Sequence, residues 1–114
     1  MGDRRMAEIK TEGGSLYVYT HWAGEELPEM AKAAILQARP RWNDHPYATR
    51  IIVDQLTKAG RDQETGFGLM LGPYVEDSYN GGEASVLIDL IGQTLESRGD
   101  ESPIPVTPFS DLDR

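Results

Sequence analysis

Apolar and polar positions along the chain switch between two periods, and the switches mark out the elements. From Leu16 to His21 the pattern alternates. Leu16, Val18 and Thr20 fall on one face of a predicted strand, and Tyr17, Tyr19 and His21 on the other, with Trp22 at the end. The first face reads as core. The second is a row of amphipathic rings that either packs with its polar tips satisfied or lines a site. Met6 to Thr11 predicts a short leading strand, turned back at Glu12-Gly13-Gly14-Ser15. The period then lengthens. Pro28 stands at a first-turn position after Glu25-Glu26, where its missing N–H costs nothing and the acids face the positive helix end. Leu27, Met30 or Ala31, Ala34, Ile35 and Ala38 follow the spacing of one buried helical face, which Pro40 ends.

A second helix follows, with Asp44 or His45 as cap, Pro46 in the first turn and Gly60 at the close. Tyr47, Ala48, Ile51, Ile52, Leu56 and Ala59 form its stripe. Ile51-Ile52-Val53 has strand composition, but the caps at both ends and the length decide for helix. Alternation returns at Phe67, Leu69 and Leu71, ending at Gly72-Pro73, and again from Ala84 to Leu90, with turn chemistry over Glu76–Gly82 between them. Gly92 marks a turn or bulge before Thr94-Leu95. The expected architecture is α+β: a two-layer sandwich in which two helices cover a small antiparallel sheet of three or four strands, in the order (β)-β-α-α-β-β. Residues 1–96 form this single domain, with 1–14 as a leading strand or a flexible end. Residues 97–114, with Pro103, Pro105, Pro108 and several acids, read as a flexible acidic tail whose sticky residues are Ile104, Val106, Phe109 and Leu112.

Composition narrows the chemistry. The 114 residues include no cysteine, which excludes disulfides, zinc–thiolate sites and thiol catalysis. The net charge of −8 is concentrated late, since residues 61–96 set only Arg61 against seven acids. Such a surface repels phosphate backbones and disfavours duplex nucleic acid. No apolar run approaches the ~18 residues of a membrane span, and no signal-peptide core follows Met1-Gly2-Asp3-Arg4-Arg5. The expected location is the cytoplasm.

The blocks Leu16-Tyr17-Val18-Tyr19-Thr20-His21-Trp22, Gly24-Glu25-Glu26-Leu27-Pro28, Arg41-Trp42-Asn43-Asp44-His45-Pro46-Tyr47-Ala48-Thr49-Arg50-Ile51-Ile52 and Glu64-Thr65-Gly66-Phe67-Gly68 resemble short uncharacterised proteins encoded by bacteriophages, prophages and plasmids. The similarity spans about residues 15–95 and omits the tail. The resemblance implies a viral or mobile-element protein acting in the host cytoplasm. It implies no reaction.

Catalytic constellations are sparse. His21 and His45 are the only histidines, too few for a zinc site without recruited carboxylates such as Glu25 or Asp44. Gly-x-Ser-x-Gly does not occur, and Gly66-Phe67-Gly68 lacks the third glycine and following helix of a dinucleotide fingerprint. No cofactor or metal is expected. Asp89, between Ile88 and Leu90, is exposed if the open sheet face is solvated. The remaining candidates for binding a ligand or partner are Arg41, Trp42, Tyr47 and Arg50, joined by Tyr17, Tyr19, His21 and Trp22. Arginine forks and ring platforms suit an anionic ring-containing ligand or an acidic partner surface. The structural alternative seats Trp42 in the inter-helix corner, with the arginines paired to Glu25, Glu29 or Asp54.

These observations support a non-catalytic binding protein that engages a host protein or sequesters a small anionic, nucleotide-like ligand, in host takeover or counter-defence. An uncovered sheet face or edge also invites a homodimer. Two alternatives stand beside it: a small hydrolase or nuclease using His21 with Arg41 or Arg50, and a virion structural or assembly protein.

Overall fold

The computed structural model describes residues 5–21, 25–72, 84–98 and 103–113. The expected turn at Glu76–Gly82 and Trp22 lie outside them. Strands β1 (Arg5–Thr11) and β2 (Gly14–Thr20) form a hairpin, followed by α1 (Leu27–Gln37), a 3₁₀ turn at Arg39–Arg41 and α2 (His45–Thr57). Then come β3 (Phe67–Leu71), β4 (Val86–Asp89), β5 (Thr94–Ser97) and β6 (Ile104–Pro108).

The six strands of the described residues form one mixed sheet in the order β3-β2-β1-β4-β5-β6. This corrects the expected antiparallel sheet of three or four strands. Two features account for the difference. First, β3 and β4 do not pair with each other: β3 lies antiparallel to β2, while β4 lies parallel to β1 on the far side of the hairpin. Insertion at the centre buries the Val86-Ile88 face of β4 completely, beside Ala7 and Ile9 of β1, which an outer position would leave partly wet. Second, the segment expected as a flexible tail supplies an edge strand. β6 pairs with β5, and Phe109 and Leu112 beyond it are buried.

Prolines within β6 disguised it, and their placement explains why they are tolerated. The Phe109 N–H donates to the Gln93 carbonyl at 2.8 Å, so the next pair, Thr94 with Pro108, is a non-hydrogen-bonded one. Pro108 therefore forfeits no ladder bond. Pro105 falls where the register shifts opposite Leu95–Ser97.

One core lies between the helices and one sheet face. Leu27, Ala31, Ala34 and Ile35 of α1, with Ala48, Ile52 and Leu56 of α2, close on Ala7, Ile9, Val18, Val86, Ile88 and Leu95. A smaller cluster of Met6, Tyr17 and Ala84, with Met70 packed against it, occupies the other face. Both helices begin as the sequence predicts. Pro28 is in the first turn of α1, and Asp44 caps α2 with its carboxylate accepting from the Tyr47 N–H.

Asp89, the last residue of β4, holds the turn that follows it. Its carboxylate accepts from the Ile91 and Gly92 N–H groups at 2.9 and 3.0 Å, holding the β4–β5 turn, in which Gln93 has a positive φ of 55°. Asp89→Ala should lower stability by about 1–2 kcal/mol through loss of both charge-assisted bonds. Asp89→Asn should recover most of it in a urea titration. Equal midpoints for alanine and wild type would remove the carboxylate from this role.

Candidate functional site

The aromatic row and the arginine cluster do not converge. Alternation along β2 puts Tyr17 in the small cluster on the sheet face opposite the helices, while Val18 enters the helix-side core. Tyr19 Oη and His21 Nδ1, hydrogen-bonded at 2.9 Å, continue that row. Arg41, Trp42, Tyr47 and Arg50 belong to the helical layer, so the sheet stands between the two groups.

Within the helical layer, Trp42 is a packing residue. Its indole N–H donates to the Ile35 carbonyl at 2.8 Å, and its ring meets Phe109 at a centroid distance of 5.1 Å. Arg39 lies over the same ring and pairs with Asp113 at 2.6 Å. Together these contacts clasp the C-terminal segment against the corner between α1 and α2. Asp54, expected as a partner for the cluster, pairs instead with Arg61. Arg41 stacks over Tyr47 at 5.0 Å, on a ring that is itself largely exposed.

Arg50 lines a groove. This groove, of about 760 Å³, runs between α2 and the β2–β3 edge of the sheet. Thr49, Arg50 and Val53 of α2 form one wall, and Leu69 and Leu71 of β3 with Leu16 of β2 form the floor. The β1–β2 turn and the start of α2 close one end. They are tied together by the Glu12 N–H, which donates to His45 Nδ1 at 3.1 Å. The turn is braced in turn by the Thr11 hydroxyl, which donates to the Gly14 carbonyl at 2.7 Å and accepts from the Gly13 N–H. Leu69 and Leu71 are 52% and 77% exposed.

Thickness and width explain why these leucines are bare. Two helices packed side by side cover about 20 Å, roughly four strands at ~4.8 Å spacing. Six strands are wider than that. On the β5–β6 side the excess is filled by Phe109 and Leu112. On the β3 side no described element lies over it.

Sequence reasoning read Leu69 and Leu71 as alternating positions of a strand and Leu16 as core, and did not single out Thr49 or Val53. A usable signal was present: three alternating apolar residues on a strand, with only two helical stripes available to cover the whole sheet. Among the described residues, no group of three or more acidic or histidine side chains is placed to hold a metal. Nor is any helix long and apolar enough to cross a membrane. No family model, curated protein or solved structure matches the chain.

Proposed function

We propose that this is a non-catalytic binding protein of viral or mobile-element origin that engages a host protein through the groove between α2 and the β2–β3 edge. The observation that carries this reading is the exposure of Leu69 and Leu71 on a groove floor large enough for two or three partner side chains. Contiguous bare leucine costs solubility, and in soluble domains it marks a surface that another molecule covers. Charge favours a protein over the small anionic ligand. The groove carries one acid, Glu12, and one permanent cation, Arg50, so it holds no focused positive field for a polyphosphate. Separation of His21 from Arg41 and Arg50 by the sheet leaves the hydrolase alternative without a converging base and anion-stabilising group.

The test uses the full-length tagged chain. Host proteins retained by it are identified, purified and titrated against wild type and the pair Val53→Gln plus Arg50→Glu. These substitutions alter the α2 wall and leave β3 untouched. Affinity should fall at least about tenfold, near 1.4 kcal/mol, with an unchanged far-ultraviolet spectrum. Equal affinity for both proteins would move the partner surface elsewhere.

A further inference from the structure

We propose that β3 is a dimerisation strand: two copies pair their β3 strands antiparallel about Leu69, joining two six-stranded sheets into one. Backbone hydrogen bonds to β2 fix which groups of β3 face outward. The His21 N–H donates to the Gly66 carbonyl, and the Gly72 N–H donates to the Ser15 carbonyl. Residues 66, 68, 70 and 72 therefore face β2, and the N–H and C=O groups of Phe67, Leu69 and Leu71 point outward from the sheet edge. A second β3 centred on Leu69 sets Leu69 opposite itself and Phe67 opposite Leu71 of the other copy. Every outward donor then meets an outward acceptor. On the helix side the pairing joins leucine to leucine and leucine to phenylalanine. On the other side Gly68 lies opposite Met70, small against large.

Charge and edge chemistry favour a second copy of this chain as the occupant. A chain of net charge −8 repels its copies, but residues 65–75 carry no charged side chain, so no like charges oppose one another along the pairing. The two sheet edges also differ in kind. β6 carries Pro105 and Pro108, a common means of blunting an edge, whereas β3 has neither proline nor lysine. The arrangement is isologous and closes after two copies. It brings the leucine floors of the two grooves side by side while leaving the α2 walls open. It does not depend on the host-protein reading.

Sedimentation equilibrium of the full chain should show a mass rising with concentration from 12.7 kDa toward twice that value, with the micromolar affinity typical of a small interface. Leu69→Lys and Leu69→Glu should each weaken association at least tenfold with unchanged circular dichroism, and an equimolar mixture of the two should restore it, because position 69 faces itself. With no native cysteine, Leu69→Cys should form a crosslinked dimer on mild oxidation: paired Cα atoms about 5.5 Å apart lie within disulfide reach. A wild-type monomer at every concentration would overturn the proposal, as would a dimer indifferent to Leu69→Lys, or charge variants that fail to re-associate when mixed.

Discussion

Replacing Phe109 by alanine should destabilise the protein by about 3–5 kcal/mol, the range for a fully buried aromatic ring. That is a large fraction of the 5–15 kcal/mol typical of a domain this size. The ring is 1% exposed and packs on Trp42, so its loss leaves a cavity at the corner where α1, α2 and the C-terminal segment meet. Ending the chain at residue 98 should do more. It removes β6 and both buried side chains beyond it, and bares the outer edge of β5. The truncated chain should lose its near-ultraviolet signal and its cooperative melt while keeping part of its helical signal. A truncated protein that melted as sharply and at the same temperature as the full chain would show that residues 103–113 contribute nothing to the fold.

The second large effect concerns α2. Ile52 is fully buried and Ile51 only half so, as a helix with one core-facing stripe requires. Ile52→Ala should cost about 2–5 kcal/mol. Ile51→Ala should cost less than half as much, since the site is partly open and the surrounding atoms move in more easily. Chemical denaturation of the two variants measures the contrast. Equal losses at the two positions would contradict the helical face on which the groove wall depends, because Val53 and Arg50 are placed by the same rotation.

The helices were legible because their determinants are local. Pro28 and Pro46 open them, Asp44 caps the second, and residues one helical turn apart share a buried face. The β1–β2 hairpin was less plain: Gly13-Gly14 marked a turn before the alternating run, but residues 1–14 were readable either as a leading strand or as a flexible end. The candidate site was legible only in part. Arg50 was singled out and does line the groove, whereas Trp42 carries a structural load and Tyr17 sits in a second small core. Ring composition alone does not reveal which face of a sheet a residue enters, nor what packs there.

Local sequence by itself determined that this chain makes two helices opened by proline, the second capped by Asp44, and several short strands of α+β type, because capping, proline geometry and side-chain period act over four or five residues. Tertiary structure alone decided that β4 enters beside β1 in parallel, that a proline-containing end closes the sheet as β6, and that β3 forms the opposite edge with Leu69 and Leu71 exposed. Those outcomes depend on which faces compete for a limited covering of two helices and one C-terminal segment. That competition is settled by burial summed over the whole sheet, which no single segment carries in its own pattern.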